Sequence, residues 1–192
     1  MFGFVRLVIG LVILSGLFLI IAKSKIAKKR NAEVGAIVVT LVLCIVMCFI
    51  PIENAFITFA SPEEAYGYYN NGTRAELIVE GQDSDLVIGV KNGKKEVLIV
   101  PKVSEGWKIG LGVDTKMVNN GIVDEMAYIL YQHKKTCDYF IVIVDIEERV
   151  NQISDSNNSK FTLWERNYYA YISNIDDYKI TINGIEYMLF ED

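Results

Sequence analysis

The sequence predicts a mainly β (α+β) exposed domain with one short N-terminal helix, preceded by a transmembrane α-helical hairpin. Three observations predict it. Two long uncharged runs open the chain, the remainder alternates short apolar stretches with turn residues, and the charge changes sign between the two parts. Residues 1–53 carry a net charge of +4, and residues 54–192 a net charge of −9.

The first run, Leu7 to Ala22, and the second, Val34 to Pro51, contain no charged residue. At about 1.5 Å of rise per residue the second covers roughly 27 Å, close to the hydrocarbon thickness of a bilayer. The first reaches that length from Phe4 if Arg6 bends its stem towards the headgroups. Helices over about 4–22 and 34–51 follow, joined by the basic loop 23–33 with Lys23, Lys25, Lys28, Lys29 and Arg30 against the single acid Glu33. Short basic loops stay in the cytoplasm, so both chain ends are expected outside. Cleavage after Ala22-Lys23-Ser24 is the alternative, although lysines directly after an apolar run suit a stop-transfer flank better. Ala36, Thr40, Cys44 and Cys48 recur every four residues and form a candidate helix-packing stripe. Gly10, Ser15 and Gly16 of the first helix are its expected receptors.

The exposed domain, 54–192, opens on "SPEEAYGYYNNG". Ser61 suits a cap, Pro62 the first helical position and Glu64 the reciprocal acid of a capping box; Asn71-Gly72 stops the helix. Ala65 and Tyr69, with Tyr66 beside them, are expected to cover a sheet. Strands follow at Ala75 to Glu80, Leu86 to Lys91 and Glu96 to Val100. Asn92-Gly93 makes a two-residue hairpin loop that sets Ile88 opposite Val97 and Leu86 opposite Ile99. Trp107 to Ile109 adds a strand, and residues 110 to 124 read as a long connection. Strands resume at Tyr128 to Gln132 and at Tyr139 to Val144, whose "YFIVIV" is apolar on both faces and so central. Lys160 to Trp164, Tyr168 to Ile175 and a hairpin around Asn183-Gly184 complete the domain. A 53-residue offset aligns "SDLVIGVKNG" with "CDYFIVIVDI" and suggests two related halves, about 75–109 and 128–162.

"SPEEAYGYY", "DSDLVIGVKNG", "GWKI" and "DSNNSKF" resemble the exposed region of uncharacterised membrane-anchored proteins of low-G+C Gram-positive bacteria, over roughly two thirds of the domain. The resemblance implies location and domain type; it brings no activity and no functional residues.

Chemistry is thinly represented. His133 stands beside Lys134 and Lys135 and reads as a solvated loop residue rather than a triad base. Asp155, Asn157 and Ser159 alternate as calcium ligands do, but Lys160 and Arg166 occupy the places of the required glycine and bidentate acid, which leaves a polar turn. Glu147-Glu148 and Asp176-Asp177 read as solvated turn acids. Cys137, alone in its domain, pairs with nothing there. No catalytic, cofactor or metal residues are expected, and the acidic domain argues against nucleic acid. Tyr66, Tyr68, Tyr69, Trp164, Tyr168, Tyr169 and Tyr171 form two clusters; most are expected in the core, and any surplus facing water marks a candidate partner surface. Alternation puts Tyr169 and Tyr171 on one strand face and Tyr168 on the other. The functional expectation is a binding module of the bacterial cell envelope, embedded in the bilayer and engaging another envelope or membrane protein. The alternatives are an envelope-acting hydrolase and an accessory subunit assembled through its helices.

Overall fold

The computed structural model describes residues 2–23, 29–49, 56–70, 72–110 and 115–190, with side-chain detail from 8 to 23 and from 30 to 46 in the first two segments. The chain divides into two compact units, Met1–Ala55 and Phe56–Asp192.

The first unit holds helices α1 (Phe2–Lys23) and α2 (Lys29–Phe49). Lys29 to Glu33 therefore belong to a helix and not to the expected loop 23–33; Lys, Arg, Ala and Glu are all good helix formers. The other basic-loop residues, 24–28, lie outside the described residues, as does Pro51. Among the described residues no helix is long and apolar enough to cross a membrane. The two helices pack on each other through Gly10, Ile21, Ala36 and Thr40, all buried. A side chain added at Gly10 would meet Cys44 Sγ at 2.8 Å, so the stripe's Cys44 is seated against α1 there. Ser15 is exposed and a side chain at Gly16 would meet nothing within 4 Å, so neither receives the stripe. The Cys48 side chain lies outside the described detail.

The second unit is mainly β. Helix α3 (Pro62–Tyr69) starts as its sequence indicates: Ser61 caps it, accepting the Glu64 N–H at 3.2 Å, and the Glu64 carboxylate accepts the Ala60 N–H. Its buried residues are Pro62, Ala65 and Tyr66, whereas Tyr69 is 42% exposed. Half-buried Tyr68 continues the cover into the last turn, so Tyr69 is the helix tyrosine that faces water, correcting its expected burial.

Twelve strands follow among the described residues, in three antiparallel sheets. The first sheet has the order β1-β2-β3-β4, from β1 (Ala75–Glu80), β2 (Ser84–Lys91), β3 (Lys94–Val103) and β4 (Gly106–Trp107). The second sheet contains β5 (Thr115–Val123), β6 (Met126–His133), β7 (Tyr139–Val144), β9 (Thr162–Trp164) and β10 (Asn167–Ile172), in the order β5-β6-β7-β10-β9. The third, β12-β11-β8, is built from β8 (Ile153–Asp155), β11 (Lys179–Ile182) and β12 (Ile185–Met188).

Alternation along the strands stacks these sheets. Leu86, Ile88 and Ile99 of the first sheet meet Phe140, Val142 and Tyr169 of the second. The opposite faces of β2 and β3, through Val87, Leu98 and Val100, receive Ala65 and Tyr66 of α3. The other face of the second sheet, through Leu130, Ile141, Ile143 and Ile172, packs on Tyr178, Ile180 and Ile182. The order is therefore helix, sheet, sheet, sheet, and β7 is apolar on both faces because it lies in the middle sheet.

Both Asn-Gly hairpins have the expected register, Ile88 opposite Val97 and Ile180 opposite Tyr187. The expected long connection 110 to 124 is instead largely β5; residues 111–114 lie outside the described residues. A register shift between Met117 and Asn119 breaks its alternation, which hides the strand in the sequence. The 53-residue offset maps β2 onto β7 but not β3 onto a hairpin partner: β7 pairs with β6 and β10, and the segment after it enters the third sheet.

Candidate functional site

A four-stranded sheet stacked on a five-stranded one leaves something uncovered. Elements β1 and β10 are in contact, as are β3 and both β5 and β6, so the first sheet ends at β1 while the second continues to β9. The overhang is the floor of a groove of about 510 Å³. Thr162, Tyr171 and Ser173 form the floor, Ile78, Val79 and Glu80 of the β1 edge one wall, and Asn157 to Lys160 the other.

The second wall is a fixed turn. Asp155 is buried; one carboxylate oxygen accepts the Ser159 N–H at 2.7 Å and the other the Tyr178 hydroxyl at 2.9 Å. Asn158 takes a left-handed φ of 54°, and the Asn157 amide donates to the Asn174 carbonyl at 2.7 Å. The alternating Asp155, Asn157 and Ser159 thus close a turn, and among the described residues no three ligating groups gather as for a metal ion.

The far end of the floor is held by two buried aspartates that begin β2 and precede β7. The Asp138 carboxylate accepts the Asp83 and Ser84 N–H groups, both at 2.7 Å, and the Ser84 hydroxyl at 2.9 Å, joining the β1–β2 turn to the middle sheet. The Tyr171 phenol is pushed up to about 12, first by burial and then by the Asp138 charge. Below that pH Tyr171 is a neutral donor. Asp85, 1% exposed, accepts from Trp107 Nε1 at 2.6 Å, from Lys102 Nζ at 2.9 Å and from the Gly81 N–H at 3.2 Å. A side chain at Gly81 would meet Asp138 Oδ2 at 2.8 Å, so the absent Cβ is what lets the turn sit on that carboxylate. These anchors leave one mark in the sequence, an acid immediately before an apolar run, in "SDLVIGV" and "CDYFIVIV" alike, a mark that the strand pattern alone does not single out.

The aromatic residues singled out in the sequence do not form one surface. Tyr66 and Tyr68 of α3 pack against the first sheet, and Trp164, Tyr169 and Tyr171 between the first two sheets. Tyr168 lies on the other face of the middle sheet, and Tyr69 is the exposed member. Strand alternation turns Trp164, Tyr168, Tyr169 and Tyr171 each towards a neighbouring layer, and the inner face of α3 does the same for Tyr66 and Tyr68. Of the seven, Tyr171 alone lines the groove. His133 corrects its expectation too: it is 2% exposed at the end of β6, where Nδ1 accepts the Lys135 N–H at 3.2 Å and closes the turn. The Glu147 and Glu148 carboxylates are exposed and ion-paired with Arg149 and Arg166. Cys137 is exposed. Compared with protein-family models, with curated proteins and with solved structures, the chain matches none, so the reading of the groove stands on its residues alone.

Proposed function

We propose that the chain is a membrane-anchored binding module: a helical hairpin held in the bilayer displays a β-rich, acidic domain outside the cytoplasm, where it engages another component of the bacterial cell envelope. The observation that carries this reading is the apolar surface of the first unit. Leu11, Val12, Leu19 and Ile20 of α1 and Ile37, Val38, Val39, Leu41, Val42 and Ile45 of α2 are all exposed. Positions 37, 38 and 39 follow at about 100° steps and so span about 200° around the helix, which is not the single stripe of a helix that covers a core. Every exposed Å² of it costs about 25 cal/mol in water, a cost that lipid removes. The basic residues from Lys23 to Arg30 favour a cytoplasmic connection between the helices.

Thiol labelling of intact cells with a membrane-impermeant maleimide tests both anchoring and orientation. Exposed Cys137 serves as the reporter for the domain, and Ser24→Cys, in a Cys137→Ser background, as that for the basic connection. Labelling at Cys137 and protection at position 24 supports the reading. The reverse pattern places the domain in the cytoplasm, and recovery of the chain in the soluble fraction removes the anchor altogether.

A further inference from the structure

We propose that the groove between the β1 edge and the β9–β10 overhang binds an uncharged, hydroxyl-rich ligand of the saccharide class. The inference rests on reading the domain as a binding module but is independent of its orientation in the membrane.

Three features carry it. The first is a set of polar side chains open to a ligand: among the described residues, Glu80, Asn158, Lys160 and Ser173 are exposed and Ser159 and Thr162 half-buried along the groove, and their side chains are not tied into the hydrogen bonds that hold the turn. Elsewhere in the same region the polar side chains of Asp155, Asn157 and Asp138 are committed to holding the backbone. Hydroxyls and amides offer donors and acceptors together, as a sugar's hydroxyls do, so each side can satisfy the other in either sense. The second feature is charge. One acid and one base line the groove, with no surplus of either sign to select a phosphate or a carboxylate ligand. The third is the half-buried Tyr171 ring on the floor, an apolar surface that suits the C–H face of a pyranose. The volume, about 510 Å³, lies within the range of small-ligand sites.

The test is calorimetric titration of the full chain in micelles of a detergent without a sugar headgroup, using an N-acetylglucosamine tetramer and maltotetraose as probes. Saturable binding of either is expected. Thr162→Val with Ser173→Ala, which keep shape and strand propensity while removing two hydroxyls, are expected to weaken it about tenfold at unchanged thermal midpoint. Absence of heat from both probes up to about 10 mM, a free energy too weak for a specific site, overturns the proposal. So does binding that the double variant leaves intact. Saturable binding of an extended Thr-Val peptide with no response to either sugar would also overturn it and assign the open β1 edge to strand addition. None of these outcomes bears on the thiol-labelling result, so the two readings fail separately.

Discussion

At the residue scale the two aspartates at the strand starts decide most. Asp85 is buried with three donors converging on it, and an amide in its place would offer one acceptor and turn its own N–H groups towards donors. Asp85→Asn is expected to cost about 2 kcal/mol, less than a fully buried pair would because Lys102 keeps part of its ammonium in water. Lys102→Met should cost less, since Trp107 and Gly81 still satisfy the carboxylate; the order of urea midpoints checks both. Tyr171 makes a pH prediction. Its phenol titrates near 12 in the folded protein against an ordinary 10.0, so the neutral form is favoured by folding. The stability it contributes is complete below about pH 10 and is lost as pH rises towards 12. Tyr171→Phe should flatten that part of the stability profile, which urea midpoints measured from about pH 9 to about pH 12 would show. Such residues are poorly legible in a sequence. Asp85, Asp138 and His133 are charged or titratable types usually found in water, and what buries them is a set of N–H groups and rings supplied by other strands.

At the scale of elements, the hairpins divide by how their turns are written. Asn92-Gly93 and Asn183-Gly184 carry the residues that accept positive φ, and the sequence discloses both turns together with their registers. Asp124-Glu125 and Glu165-Arg166 close equally short loops with φ of 48°, 63°, 44° and 62°, residue types that announce no turn, and the hairpins they make are correspondingly hidden. That conformation is a cost in the native state. Replacing Glu165-Arg166 by Asn-Gly should raise stability by about 1 kcal/mol, after losing the exposed pairs with Lys95 and Glu148, which are worth little. Chemical denaturation with an unchanged slope is the check. Gly89 points the other way. A Cβ there would lie 2.5 Å from the Arg74 carbonyl and 2.6 Å from the Tyr66 hydroxyl, and Tyr66 is fully buried and has nowhere to swing. Gly89→Ala is expected to destabilise by about 1–3 kcal/mol through displacement of α3 from the first sheet.

At the scale of the whole molecule, the division into an apolar helical unit and an acidic β unit was legible because it rests on composition, whereas the stacking of three sheets was not, because it rests on pairing between distant segments. β7 lies beside β10 rather than beside its successor β8, and no local pattern in "YFIVIV" says so. Among the described residues the three apolar clusters of the second unit are formed by residues from Phe59 to Phe190, and the bridge between Phe59 and Trp107 ties its first residues to β4. A chain of residues 56–192 is therefore expected to fold without detergent and to sediment as a soluble species, with a thermal midpoint within a few degrees of the full chain's in micelles, about the shift that 1 kcal/mol produces. The full chain without detergent should aggregate, since the surface of α1 and α2 stays apolar whatever the β unit does. An insoluble or molten 56–192 fragment would show that the β unit needs the helices to complete its core, and a monodisperse full chain in plain buffer would show that something other than lipid covers them.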